Sequence, residues 1–516
     1  MLKYGSLLLL IIVALSSSFA HAKTYPIKSF ELVGFYDDPG HHIYVKDINR
    51  RLQSGLAKYK FRLSMNQMHY FAEYLTTWYK NSGLLFHKVI VPPQEIKDQR
   101  LRLKLIPGIL GDISVRGNEF YSKDRIQQSF SALLNKQVEK EKIEEALLIL
   151  NDSPGLDVFS FFSRGKEKNE TRVNLKVQEE EFFTASVKLD NYGVESTGRN
   201  RLLSQFSFNN ISGRADQFNL GILASDESVY SSLVYRVPMW NPFHSIGISV
   251  SDNQFDLAGD FLALGVNGST QVTRIDVSHV LFRGYQRNRK LSWYFDQKES
   301  VLDDSAGFSL LSKEEQSSGA GINFLLDQKN AVSQFQFYLN IYTGQYDQGF
   351  AALDDEDFSL SNIVLNYAVN IASRDAYLYS RLGLMLRAQV SDDVLPSYEK
   401  FALTGVDAVR AVESGVISTD NAQLLRLNWY WLNPDWLGNN AFSKKVRMSV
   451  FYDWVEGEDS QSTIIESASG YGIAFDFSVS KNFSGRLVYA QSQELELSTF
   501  TEEESSHAYA ELSYRF

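Results

Sequence analysis

Residues 446–454 read Val-Arg-Met-Ser-Val-Phe-Tyr-Asp-Trp. Val446, Met448, Val450, Tyr452 and Trp454 alternate there with Arg447, Ser449, Phe451 and Asp453. A two-residue period sends the two sets to opposite faces of one strand, so Asp453 falls on the polar face. Leu425, Leu427, Trp429 and Trp431 alternate with Arg426, Asn428 and Tyr430 in the same way. Ile473, Phe475, Phe477 and Val479 alternate with Ala474, Asp476 and Ser478. From Phe182 to the C-terminus this period replaces the helical one.

Strand starts are predicted near Phe182, Asn200, Asp216, Val229, Ser245, Thr270, Lys290, Ser318, Ser333, Asn362, Tyr377, Asn421, Lys445, Ser469, Phe483 and Ser506. That makes about sixteen, an even number as a single-chain membrane barrel requires. A soluble sandwich or propeller competes. Two features favour the barrel. Short turns (Asn241-Pro242, Tyr285-Gln286, Lys481-Asn482) alternate with long polar loops, the longest after the fifth, seventh, ninth and eleventh strands. The chain also ends on Ala508, Ala510, Leu512, Tyr514 and Phe516, one apolar face with an aromatic terminus. Such an ending resembles the signal read by outer-membrane assembly machinery, which implicates Tyr514 and Phe516.

Composition agrees. The mean hydropathy is −0.23, which suits a barrel whose oily positions are diluted by lumen-facing polar ones. Aromatic residues reach 13%, enough for interfacial girdles. There is no cysteine, which excludes disulfides and thiolate chemistry. Lys3, the apolar run Leu7–Leu15 and the small-x-small site Ala20-His21-Ala22 predict an export signal over residues 1–22, cut before Lys23. The apolar run is too short to span a bilayer, so any membrane part is built of strands. Residues 1–181 carry 26 Lys+Arg against 21 Asp+Glu, and residues 182–516 carry 25 against 41. The chain thus changes character near residue 181. No basic stripe suggests nucleic acid.

Between signal and barrel the reading is α+β. Ile27–Phe35 predicts a strand, and Val45–Tyr59 a helix with Ile48, Leu52 and Leu56 inward. Ser64–Lys80 predicts a helix capped by Ser64, with Met68, Phe71, Leu75 and Trp78 on one face. Strands follow at Phe86–Val91 and Leu101–Ile106. The order then repeats: strand Ile113–Val115, helices Lys123–Leu134 and Glu139–Leu150, strands Val158–Ser163 and Thr171–Gln178. Two β-α-α-β-β modules, 23–108 and 109–181, precede a barrel over 182–516.

These modules resemble POTRA domains, the periplasmic polypeptide-binding units of outer-membrane transport barrels. The whole order resembles the TpsB-type transporters of two-partner secretion. Three stretches carry the resemblance: Asp190-Asn191-Tyr192-Gly193 with Ser196-Thr197-Gly198-Arg199, the run Asn209–Asp216 (NNISGRAD), and Thr404–Val412 (TGVDAVRAV). The last, which includes Gly405, matches the family's inward-folding loop with its Val-Arg-Gly-Tyr motif. Arg410 is the matching arginine. Its implied partner is the aspartate of a Phe-x-Asp-x-Gly strand motif, here Phe451-Tyr452-Asp453-Trp454-Val455.

The physics of the residues points the same way. Asp453 on a lumen face needs a cation or water. Arg410 is the only arginine of the long preceding loop, and its planar fork suits a carboxylate. A solvated arginine and a wet aspartate are the plainer alternative. Two departures stand out. Ala411 and Val412 replace the motif's Gly and Tyr, and Ala disfavours positive φ. The first strand also begins near Ile27, which leaves no room for the N-terminal plug helix many members carry, so closure is expected to rest on the Arg410 loop.

The resemblance implies export of a large secreted β-helical exoprotein, with membrane lipid, lipopolysaccharide and the barrel assembly machinery as further partners. An assembly insertase and a passive porin-like channel are the alternatives. The acidic runs Asp354–Asp357 and Glu502–Glu504 are expected in external loops, as solvated charge rather than cation sites. No enzyme, metal or cofactor motif is found; nucleotide and nucleophile-elbow fingerprints are absent.

Overall fold

The computed structural model describes residues 23–516 except 260, 261, 263, 264, 305–312, 348–355, 373–378, 433–444 and 499–503. The expected signal segment lies outside the described residues. No described helix is long and apolar enough to cross a membrane.

The first module runs β1 (Ser29–Val33), α1 (Val45–Lys58), α2 (Met65–Asn81), β2 (Lys88–Ile90) and β3 (Arg100–Ile106). Its sheet has the order β1-β3-β2, with β1 parallel to β3 and β2 antiparallel to it. Ile48, Leu52 and Leu56 of α1 are buried at one-turn spacing. Ser64 caps α2 in a reciprocal box: its hydroxyl accepts from the Gln67 amide and the Gln67 side chain accepts from the Ser64 amide. Met68, Phe71, Ala72, Leu75 and Tyr79 fill the core beneath. Tyr79 takes the buried place expected of Trp78, which is half-buried and lies under the Arg51 guanidinium, 5.7 Å from its centre.

The same topology recurs in β4 (Ile109–Arg116), α3 (Lys123–Ser131), α4 (Lys140–Asn151), β5 (Leu156–Arg164) and β6 (Glu170–Glu179), with sheet order β4-β6-β5 and β4 parallel to β6. The chain divides into two compact units. One runs through Arg116 and adds Phe130–Ala146 and Phe159–Lys176; the other holds Gly117–Ser129, Leu147–Val158 and Val177–Phe516.

Sixteen antiparallel strands close a barrel. They are β7 (Phe183–Asp190), β8 (Arg201–Asn209), β9 (Gln217–Ala224), β10 (Ser228–Pro238), β11 (His244–Asp256), β12 (Val266–Arg283), β13 (Arg287–Asp304), β14 (Lys313–Lys329), β15 (Ser333–Asp347) and β16 (Glu356–Ala372). β17 (Tyr379–Val390), β18 (Asn421–Leu432), β19 (Val446–Glu458), β20 (Ile465–Ser478), β21 (Phe483–Glu496) and β22 (Ser506–Arg515) complete it. Closure satisfies every interior ladder without an open edge, which a lipid environment demands. β22 closes on β7 from Glu511↔Asp190 to Arg515↔Ser186, the shortest pairing of the barrel.

The alternation is visible as exposure. Trp293, Phe295, Ile322, Ile341, Leu382, Leu386, Leu427, Trp429, Val450, Tyr471, Leu487 and Leu512 all face outward as large exposed apolar groups. Three strands start earlier than their alternation suggests: Val266 against Thr270, Lys313 against Ser318, Glu356 against Asn362. A bilayer needs only about 9–11 strand residues. Beyond the hydrocarbon the outward face of the ladder turns polar, and in β16 the apolar Phe358 and Leu360 are buried inward instead, so no lipid-facing alternation announces it. Glu356 and Asp357 consequently belong to β16 rather than to a loop. Tyr346 donates to Glu356, and Gln345 to Asp357. Asp354, Asp355, Glu502 and Glu503 lie outside the described residues.

Candidate functional site

Residues 391–420, between β17 and β18, fold into the barrel. Their middle is held by a two-residue hairpin, Phe401–Ala402 paired with Ser418–Thr419. Gly405 has φ +108, and a Cβ there would collide with the Ser414 side chain, so the turn into the tip needs glycine.

Arg410 sits at the tip and is 4% exposed; Asp453 of β19 is fully buried. Nε of Arg410 donates to Oδ2 of Asp453 at 2.7 Å and Nη2 donates to Oδ1 at 2.6 Å. The Arg410 backbone amide donates to Oδ2 as well, at 3.2 Å. The guanidinium lies over the Phe451 ring, 3.4 Å from its centre. Nη2 also reaches Oδ1 of Asn428 at 3.3 Å. Of the four residues predicted from sequence, Arg410 of the loop touches Asp453 and Phe451 of β19, while Gly405 shapes the turn that leads to Arg410. Charge pairing, bidentate geometry and a ring face combine at two buried side chains, where an unpaired partner is costly.

Apolar packing supports the tip. Phe401, Leu403, Ala408, Val409, Ala411 and Val412 form one cluster with Tyr192, Leu424, Phe451, Val455, Ala468, Ala490 and Tyr509 of the barrel. Ala411 is not among the residues with positive φ. Its methyl instead lies against Gly470 of β20, where a Cβ would approach it to 2.6 Å. Val412, in place of the motif tyrosine, is fully buried. Val455, in place of the motif glycine, is fully buried too, and Gly457 further along β19 lies under Leu403 and Thr419.

Several contributors carry no signal in the sequence. Arg426 of β18 donates from Nε to the Ala408 carbonyl at 2.9 Å and from Nη2 to the Val406 carbonyl at 2.5 Å. Its Nε lies 3.7 Å from Oδ1 of Asp453. At the stem of the loop, Glu399 pairs with Lys298 of β13. Lys298 lies 3.8 Å from buried Asp296, which accepts from Arg274 at 2.6 Å and from Tyr342 at 2.7 Å. Ser397 donates to Glu315 of β14 at 2.8 Å. Lys400 bridges Asp459 at 2.6 Å and Asp420 at 3.3 Å. Beyond the tip, Glu413 accepts from the Glu195 amide at 2.9 Å, next to the Gly198-Arg199 turn.

The other resemblance-derived stretches are structural. Asp190 accepts from the Tyr192 amide and from Arg201, at 3.0 and 2.8 Å. Asp216 closes the turn after β8 by accepting from Ser212 and from the Tyr235 hydroxyl. Tyr514 and Phe516 stack edge to face at 4.8 Å on the outer surface, and the Phe516 amide donates to the Ala185 carbonyl.

Sixteen closed strands, paired α/β modules before them and a loop clasped within the lumen define an outer-membrane transport barrel. The family model described as haemolysin secretion/activation protein ShlB/FhaC/HecB matches residues 169–476. The chain belongs to that family, the outer-membrane transporters of two-partner secretion, which export a partner exoprotein. It is similar to the heme/hemopexin transporter protein HuxB of Haemophilus influenzae strain 86-028NP, at 24% identity over 77% of this chain and 70% of that one. It is similar to the outer membrane transporter CdiB of Dickeya dadantii strain 3937, at 21% identity over 80% and 75%. The solved structure of CdiB from Escherichia coli shares the fold, with a TM-score of 0.73 at 18% identity over 97% and 92%. Family membership favours secretion over the insertase and porin alternatives.

Proposed function

We propose that the loop around Arg410 is the latch of the export conduit. In this reading residues 1–22 are removed on export, and modules 23–108 and 109–181 capture an unfolded exoprotein in the periplasm. Strand addition at a sheet edge or a strand–helix groove would serve that capture. The barrel, 182–516, is the conduit. The exoprotein is a large β-helical chain, and its folding outside supplies the driving force. Tyr514 and Phe516 mark the chain for barrel assembly in the lipid and lipopolysaccharide bilayer. No catalytic step is involved.

One observation carries the latch: a buried bidentate pair joins a loop to a wall strand. Such a pair is stable closed, yet loses little if both partners find others on opening. Co-expression with the partner exoprotein tests the reading. Deleting residues 24–181 is expected to abolish surface export while the barrel still reaches the outer membrane. Undiminished export would end the capture role.

A further inference from the structure

Beneath the loop tip lies a lumen cavity of about 580 Å³. Five arginines line it: Arg381, Arg410, Arg426, Arg447 and Arg486. Amide side chains, Asn428 among them, make up most of the remaining polar lining, and no carboxylate lines it among the described residues. This runs against the composition of the barrel, where acids outnumber bases.

The nearby counter-charges are few. Asp453 is committed to Arg410. Asp476 lies 3.4 Å from Nε of Arg486, yet that buried Nε makes no hydrogen bond. Arg381 donates to the neutral Gln334 at 3.3 Å. Among the described residues Arg381 and Arg447 have no ion-pair partner. Two further carboxylates stand close by, Asp407 near Arg426 and Glu511 opposite Arg486 in the ladder, the latter paired with Lys188. The five guanidinium groups still outnumber the carboxylates in a walled space, where like charges repel more than in water. Such an arrangement is tolerable when an anion visits it.

The position is equally informative. Arg381 opens β17, Arg447 opens β19 and Arg486 opens β21. The chain enters the barrel from the periplasmic modules, so its first strand and every second one after it leave the periplasmic side; β17, β19 and β21 are the eleventh, thirteenth and fifteenth. The chamber is therefore the inner vestibule, with Arg410 and Arg426 as its roof.

We propose that this vestibule is a carboxylate-binding station for acidic segments of the polypeptide entering the barrel. The inference rests on the export reading for its ligand. Guanidinium forks bind carboxylates in pairs, and a walled cluster of one sign concentrates the opposite sign. Arg410 belongs to both chamber and latch. A carboxylate arriving from below competes with Asp453 for the same guanidinium, so occupancy of the vestibule loosens the tip.

The test is binding of a fluorescein-labelled hexa-aspartate peptide to the full chain in detergent micelles, read by polarisation. The variant Arg381→Gln/Arg447→Gln/Arg486→Gln spares both latch residues. Its folding is checked by heat-modifiable gel mobility. Wild type is expected to bind hexa-aspartate and not hexa-lysine. The triple variant is expected to bind about tenfold more weakly, since it removes three guanidinium charges, each worth roughly twofold. The matching Arg→Lys triple keeps the charges and is expected to retain most of the binding. Equal binding of hexa-lysine, or a triple Gln variant indistinguishable from wild type, overturns the proposal. The assay involves no export, so its failure leaves the transport reading standing; export of the exoprotein is scored separately.

Discussion

The methyl group of Ala411 rests on Gly470, two residues brought together from the loop tip and the wall of β20. A Cβ at position 470 would lie 2.6 Å from that of Ala411. The floor beneath the tip is thus cut to the size of this chain's own motif. Gly470→Val is expected to lift the tip, at an overpacking cost of about 1–3 kcal/mol. Single-channel conductance in planar bilayers should rise. A wild-type conductance trace would show that the tip does not depend on this contact.

Arg410→Ala leaves buried Asp453 only the more distant Arg426, and Asp453→Ala leaves buried Arg410 without its carboxylate. Each is expected to destabilise the inward loop by about 3–5 kcal/mol. The double variant should be no worse than either single one, in export and in protease protection of the loop. Strictly additive losses would deny a shared contact.

Glu399→Gln acts at the stem. It removes the pairing with Lys298 but leaves the tip clasp intact. Because the chain has no cysteine, Ser397→Cys offers a clean reporter. Its labelling by a membrane-impermeant maleimide is expected to quicken several-fold in the Glu399→Gln background. Unchanged labelling would assign the stem's position to Lys400 with Asp459 and Asp420.

His87 makes the first module sensitive to acid. It is 2% exposed, stacks on Tyr79 at 5.5 Å and meets the Tyr36 hydroxyl at 3.3 Å. Burial pushes its pKa down to about 4, with Asp38 opposing and His41 adding to the fall. The folded module therefore holds His87 neutral where the unfolded chain, near 6.5, takes up a proton. Stability is full above about pH 6.5 and declines as pH drops toward 4, by roughly 2–3 kcal/mol. Hydrogen exchange of the α2 peptides in the full chain should accelerate over that window, and less so in His87→Phe. Equal acid sensitivity in that variant would place the effect elsewhere.

The division between what was legible and what was not follows the range of the interactions. Alternation is a local property, so residues 446–454 sufficed to orient Asp453 and the barrel's strand number could be counted. The Ser64 cap, the two β-α-α-β-β orders and the sixteen strands were readable for the same reason. The outward ends of β12, β14 and β16 were not, because outside the lipid the outer face of the ladder need not be apolar. Trp78 and Tyr79 are adjacent, and helical period alone does not say which of them the sheet covers. Lys298 and Glu399 stand about a hundred positions apart, and nothing near either names the other. Gly470 and the arginines of the vestibule acquire meaning only when closure of sixteen strands brings β17 to β21 around one loop. The linear order of residues was enough to assign the faces of the strands, because backbone geometry sets them residue by residue. Which of those faces enclose a charge was settled on folding alone, because closing the cylinder brings distant strands together and removes the water between them.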